Sequence, residues 1–282
     1  MNIQEYNVKD QATWCPGCGN FSIHTALKMA LSELNISPSS TFVAFDIGCN
    51  GNGADKINVY GFKGLHGRAI PLAVGAHLAN RQYTVFADLG DGACLHEGID
   101  HLIHAVRSNY DITVLIHNNQ NFALTTGQAT ATTNKKKSMY GLSDGKPEKD
   151  INIGELVLSL NPSFFARGYT GDLKGLKDII KEGVKHKGCS IIEIMQACPT
   201  YNPECTPQWF GKRIKSVECT NEIQKARSNV IITDKSIKVG IIYKNTKLPT
   251  FYDSITNRKN IKTELVDEVK QYNVKNIIKL LD

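Results

Sequence analysis

Apolar runs of strand length alternate with amphipathic stretches of helix length through most of this chain, and no other feature narrows its fold as much. Thr41–Phe45, residues 83–88, residues 112–116, Phe164–Tyr169 and Ser190–Met195 are short, rich in Val, Ile and Phe, and several are closed by glycine or asparagine. They read as buried strands. Between them, residues 21–34 carry an apolar stripe at helical spacing with Asn20 placed to cap it, and Ala69–Ala79 tolerates Pro71 in its first turn. Residues 95–107 and 173–186 read as further helices. This order implies βαβ units: an α/β fold, with a mostly parallel sheet and helices on both faces. Ligands in such folds bind beyond the carboxyl ends of the strands. The glycine- and asparagine-rich segments 48–53, 90–92 and 118–127 fall at those ends.

The rest of the chain is less patterned. Residues 130–150 are polar, contain Lys135-Lys136-Lys137, and read as a surface loop. Beyond Pro207 a strand is expected at 239–243 and a helix within 263–281. We expect one principal α/β domain over 1–205 and a C-terminal extension over 206–282 packed on it. The net charge is +6, and the extension holds 15 Lys and Arg against 8 Asp and Glu, so the basic excess belongs to it alone. That excess is diffuse and lacks an aromatic–basic motif, so nucleic acid is not an expected partner. A solvated lysine-rich surface is the plain reading, and a docking face for an acidic protein the sharper one. No apolar run reaches the roughly 18–20 residues of a membrane span. Met1-Asn2-Ile3-Gln4-Glu5 has no basic or apolar leader character, so a cytoplasmic location with no membrane association is expected.

Two groups of residues carry chemistry. Gly90-Asp91-Gly92 ends a strand and leads towards a helix, where glycine backbone approaches an anion and a helix N-terminus favours negative charge. Asp91 offers hard oxygens to Mg²⁺, and Asn119, 28 residues on, ends the next strand. Asp91, Asn119 and a nearby carbonyl would supply three magnesium ligands. The second group is sulfur. Trp14-Cys15-Pro16-Gly17-Cys18-Gly19 presents two thiols, Cys49 follows the first strand, and Cys198 follows the strand ending at Met195. Four thiolates from one sheet edge suit a [4Fe–4S] cluster and equally a structural zinc ion. Cys205 is read as a spare thiol on a surface segment. Cys94, Cys189 and Cys219 read as small packing residues.

Gly-Asp-Gly followed at this distance by Asn118-Asn119 resembles the thiamine diphosphate motif, whose backbone-carbonyl ligand falls here at Asn121. Nearly the whole chain resembles the β subunit of the 2-oxoacid:ferredoxin oxidoreductases, in the branch acting on pyruvate or 2-oxoglutarate. Besides the segments quoted, the motifs are Gly64-Leu65-His66-Gly67-Arg68-Ala69-Ile70-Pro71, His101-Leu102-Ile103-His104-Ala105 and Leu124-Thr125-Thr126-Gly127-Gln128.

The resemblance implies a thiamine diphosphate-binding fold and three cofactors: thiamine diphosphate, Mg²⁺ and one [4Fe–4S] cluster. It matches Cys15, Cys18, Cys49 and Cys198 to the cluster, and Asp91, Asn119 and the Asn121 carbonyl to magnesium. Ile47, Gly48, Cys49, Asn50, Gly92, Ala93, Ala123 and Leu124 match cofactor-lining positions. His66 matches a catalytic position near the cofactor's reacting end, and Asn52 and Leu124 match substrate contacts. Ala93 stands where Asp is frequent, Ala123 where Gly is usual, and Thr130-Ala131-Thr132 where Ser-Pro-Thr is usual. The implied reaction is coenzyme A-dependent oxidative decarboxylation of a 2-oxoacid, with electrons leaving through the cluster to ferredoxin and the site completed by an α subunit. A related aryl or branched-chain 2-oxoacid enzyme, or a non-catalytic metal-bearing subunit, are the alternatives.

Overall fold

The computed structural model describes residues 1–258, 260–271 and 278–279. In chain order its principal elements are α1 (Asn20–Glu33), β1 (Thr41–Phe45), β2 (Tyr60–Lys63), α2 (Ala69–Ala79), β3 (Thr84–Gly90), α3 (Asp91–Leu95), α4 (Ile99–Ser108) and β4 (Thr113–Asn118). They continue with β5 (Asn121–Phe122), β6 (Gln128–Ala129), α5 (Ile153–Ser159), β7 (Phe164–Tyr169), α6 (Leu173–Lys185), β8 (Ser190–Met195), α7 (Pro207–Gly211), β9 (Ile214–Ser216), α8 (Ile223–Val230) and β10 (Ile237–Lys244). Eight strands form one sheet in the order β2-β1-β3-β4-β8-β7-β10-β9. All its pairings are parallel except β10 against β7.

Period-two alternation divides the core. Val43, Phe45, Phe86, Leu115, Ile192 and Ile194 face one way and pack with α1 and α6. Ala44, Ala87, Leu89, Val114, Ile116 and Ile191 face the other and pack with α2, α4, α5 and α8. Strands buried on both faces must be apolar throughout, which is why these runs read so plainly in the sequence. A smaller cluster of Tyr169, Met195, Ala197, Cys205, Phe210 and Ile237 seals the end of β7 and β8. Among the described residues no helix is long and apolar enough to cross a membrane.

The chain leaves β1 outward to β2 and returns to β3 on the other side. The crevice between the ends of β1 and β3 is therefore a switch point, the usual ligand position in an open α/β sheet.

Five expectations change. The helix expected over 95–107 starts only at Ile99, as α4, and a separate short helix, α3, ends at Leu95, with a break at His96–Gly98. The loop containing Gly67 docks on that break, and a Cβ on Gly98 would lie 2.8 Å from the Gly67 carbonyl oxygen. Asn20 does not cap α1: Gly19 holds that position, and the Asn20 side chain is buried against His117 and Gln196. The 130–150 segment is only partly surface, since Thr130, Thr132, Thr133 and Lys146 are buried. Cys205 is buried in the satellite cluster. The helix expected within 263–281 is seen as Leu265–Glu268 and a 3₁₀ turn at Val269–Gln271, and most of residues 272–281 lies outside the described residues.

Candidate active site

Asp91 opens α3 immediately beyond β3, and Gly90 before it turns the chain. Its carboxylate is buried, with Oδ2 accepting from the Thr130 hydroxyl at 2.6 Å and from the Thr132 hydroxyl. Burial pushes the acid up to about 6, opposed by those hydroxyls and by backbone N–H groups of Asp91 and Asn119. No Lys, Arg or His pairs with Asp91 among the described residues. At neutral pH it is thus a buried negative charge stabilised only by hydrogen bonds, which a hard cation would neutralise.

Asn119 lies just beyond β4, where its Oδ1 accepts the Asn121 N–H at 3.1 Å across Gln120, a residue with φ of 61°. The Asn119 carbonyl accepts from the side-chain amides of Asn121 at 2.8 Å and Asn202 at 3.1 Å. Phe122 then lays its ring over the turn of Asp91: a Cβ on Gly92 would come within 2.3 Å of it. Only glycine admits that contact.

One cavity runs along these ends. It is lined by Ile47, Gly48, Cys49, Asn50, His66, Asp91, Gly92, Ala93, Asn119, Asn121, Ala123 and Leu124, all of them read from the sequence as site residues. Asn52 is not among them; it borders the adjoining cavity, where Cys15, Cys18, Cys49 and Cys198 converge. His66 is held by a contact from Nδ1 to the Glu97 carboxylate at 2.7 Å.

The cysteine cavity is built from two turns. Cys18 N–H donates to the Cys15 carbonyl at 3.0 Å, with Gly17 at φ of 81°, and the Trp14 indole donates to the Cys49 carbonyl at 2.6 Å. All eight cysteines are free. Burial, joined by the charges of Cys18, Cys198 and Cys15, pushes the Cys49 thiol up to about 12. Four sulfurs therefore feel one another around a shared space. Among the described residues no three His, Cys, Asp or Glu side chains are drawn around a point fit for one metal ion.

Sequence reasoning missed several residues. Thr130 and Thr132, marked in the sequence only as a departure from Ser-Pro-Thr, reach Asp91 from 39 and 41 residues away. His117 sets Nε2 3.1 Å from Asp88 and Nδ1 2.9 Å from Asn20, and nothing in an apolar strand announces it. Asp46 was findable: it is an acid at the end of a buried strand. It is buried, raised by desolvation, and its Oδ2 has no partner.

Residues 46–194 match the family model of the thiamine pyrophosphate enzyme C-terminal TPP binding domain. Residues 198–260 match that of the C-terminal part of the pyruvate ferredoxin oxidoreductase β subunit. The chain is 36% identical over 261 residues to the 2-oxoacid:ferredoxin oxidoreductase subunit beta of Saccharolobus solfataricus, covering 87% of this chain and 86% of that one. Against the 2-oxoglutarate oxidoreductase subunit KorB of Mycobacterium tuberculosis the identity is 32%, over 71% of this chain and 53% of that one. Among solved structures, the 2-oxoglutarate:ferredoxin oxidoreductase from Magnetococcus marinus, with 2-oxoglutarate, coenzyme A and succinyl-CoA bound, aligns with a TM-score of 0.88. That alignment has 25% identity and covers 100% of this chain and 96% of the other. By these likenesses and by its fold, the chain belongs to the β subunits of the 2-oxoacid:ferredoxin oxidoreductases.

Proposed function

We propose that this chain is the thiamine diphosphate- and cluster-bearing β subunit of a cytoplasmic enzyme that oxidatively decarboxylates a 2-oxoacid, forms an acyl-coenzyme A and reduces ferredoxin. The observation that carries the reading is that the two cavities are contiguous. Asn20, Cys49, Asn119, Ala123, Leu124 and Gln196 line both the Asp91 cavity and the cysteine cavity. A site for carbon chemistry and a site for electrons then share a wall.

The residues suit each group. Asp91, Asn119 and the Asn121 carbonyl would hold Mg²⁺, which would supply positive charge for the diphosphate and for a carboxylate that has no cationic partner among the described residues. Cys15, Cys18, Cys49 and Cys198 would hold one [4Fe–4S] cluster. Thiamine diphosphate supplies an electron sink for decarboxylation, and a cluster accepts electrons singly.

The chain's own groups do the rest. Gly90 and Gly92 let backbone reach the diphosphate end, and Phe122 covers the turn and excludes water. Glu97 fixes His66 through Nδ1, leaving Nε2 to exchange a proton with substrate. Asn52 and Leu124, which border the cysteine cavity, would contact substrate. Residues 206–282 act as an extension of the same unit, supported by β10 pairing with β7. The active site is completed by an α subunit.

The test is to co-express the chain with its α partner, purify without oxygen, and assay 2-oxoglutarate, pyruvate, aryl and branched 2-oxoacids. Ferredoxin reduction that needs thiamine diphosphate, Mg²⁺ and coenzyme A supports the reading. An iron-free complex inert to every 2-oxoacid overturns it.

A further inference from the structure

Gln196 stands where the two cavities meet. It follows β8, is buried, and its backbone N–H donates to the Asn118 carbonyl at 3.0 Å, tying the end of β8 to that of β4. Its side chain is fixed by packing, since Gly19 is so close that a Cβ there would fall 2.6 Å from Gln196 Cγ. The amide nitrogen Nε2 lies 3.7 Å from Cys18 Sγ and 2.9 Å from Asn20 Oδ1. Asn20 Oδ1 in turn lies 2.9 Å from His117 Nδ1, and His117 Nε2 lies 3.1 Å from Asp88 Oδ2. Asn50 closes the row, donating to Asp88 Oδ1 at 2.9 Å.

As placed, the Gln196 amide turns Nε2 to the Cys18 sulfur and to Asn20 Oδ1, while its own Oε1 and Asn20 Nδ2 have no partner among the described residues. Turned over, it would set Oε1 against the Cys18 sulfur and against Asn20 Oδ1, placing acceptor against acceptor at both. A sulfur that carries negative charge selects the donor orientation. Asn20, buried rather than used as a helix cap, accepts from the same nitrogen and keeps it there.

We infer that Gln196 is a tuning residue that sets the reduction potential of the cluster held at Cys18, and that Asn20 positions its amide. The inference rests on the reading of the four cysteines as cluster ligands. Adding an electron to a cluster increases negative charge on its sulfurs. An N–H dipole aimed at one of them favours the reduced state more than the oxidised one, and the potential rises; hydrogen bonds to sulfur and burial are recognised levers on such potentials. Because Gln196 also lines the Asp91 cavity, this adjustment is made on the side from which electrons would arrive.

The experiment is a dithionite titration of the anaerobic αβ complex, followed by electron paramagnetic resonance. It compares wild type with Gln196→Met, which keeps length but loses the donor, Gln196→Glu, which replaces the donor by an acceptor, and Asn20→Ala. Iron content and thiamine diphosphate affinity are measured on each. The expected result is a potential moved in the negative direction for Gln196→Met, further for Gln196→Glu, and less for Asn20→Ala, with iron and cofactor affinity kept. An unchanged potential in iron-replete Gln196→Met or Gln196→Glu overturns the tuning role while leaving the cluster reading intact. Loss of iron from both variants overturns it in favour of a scaffolding role. A wild type without iron overturns the cluster reading itself and the inference with it.

Discussion

The hydroxyl of Thr130 donates to the carboxylate of Asp91 at 2.6 Å, inside the protein and across two segments that share no sequence pattern. A donor to a charged group is worth about 1.5–3 kcal/mol. Thr130→Val should therefore leave Asp91 less well oriented and weaken Mg²⁺-dependent thiamine diphosphate binding by roughly ten- to a hundredfold, since 1.4 kcal/mol is about tenfold. Asp91→Ala should abolish the Mg²⁺ dependence. Calorimetric titration of each variant with cofactor, with and without Mg²⁺, checks both; wild-type affinity in Asp91→Ala would refute the metal assignment.

Gly92→Ala tests the cover of the same turn. A methyl group there meets the Phe122 ring at 2.3 Å, far inside contact distance, so the ring must leave. Cofactor affinity should fall, and Phe122→Ala placed in the same chain should restore part of it. Absence of any rescue would show that the fault lies in the backbone rather than in the ring.

How much of this could be read beforehand depends on what each residue touches. Strands such as Ser190–Met195 are buried on both faces, and their composition alone declares them. The exposed edge strand Tyr60–Lys63 has no such composition and was not foreseen. Asp91, Asn119 and the cysteines were legible because their chemistry is written in spacing beside glycine. The bonds of Thr130 and Thr132 to Asp91, and the places of His117 and Gln196, were not, because each depends on a partner distant in the chain. The helical break at Gly98 is likewise tertiary: it exists because the Gly67 loop needs the space.

Cys198 and Cys205 separate cleanly in the structure. Cys198 borders the cavity shared with Cys15, Cys18 and Cys49, while Cys205 packs with Met195 and Phe210. Cys198→Ser should lose most of the iron and the broad visible absorbance. Cys205→Ser should keep both and lose about 1–3 kcal/mol of stability, from a hydroxyl placed where the thiol packs. A brown Cys198→Ser beside a bleached Cys205→Ser would reverse the assignment.

The buried pair Arg167–Glu193 spans β7 and β8 at 2.7 Å, and Glu193 also accepts from Asn118, the neighbour of Asn119, at 2.7 Å. Removing one partner strands a buried charge, at a cost of about 3–5 kcal/mol. Arg167→Met should lower stability by that amount in urea, and Arg167→Met with Glu193→Leu should recover much of it. Additive losses in the double variant would show that the pair is not coupled.

His186 gives a pH dependence of stability. Burial holds its imidazole down from the usual 6.5 to about 4, with Lys244 adding to the effect, and its Nε2 lies 2.8 Å from the Ser163 hydroxyl. A depressed imidazole means that the unfolded chain takes up the proton first. Its contribution is therefore complete above about 6.5 and is lost as pH falls towards 4. Urea midpoints measured across that window should decline less in His186→Gln than in wild type. Identical declines would remove His186 from the account.

Under the proposed function, carbon chemistry at Asp91 and electron uptake at the cysteines are joined in this subunit. The most direct test is to mix the oxygen-free αβ complex with each 2-oxoacid and follow the cluster by rapid-freeze electron paramagnetic resonance. The expected result is about four iron atoms per β chain and a reduced-cluster signal that appears only with a cognate 2-oxoacid, thiamine diphosphate and Mg²⁺, and that Asp91→Ala abolishes. A cluster that is present yet stays oxidised with every 2-oxoacid, or is reduced equally well in Asp91→Ala, would contradict it.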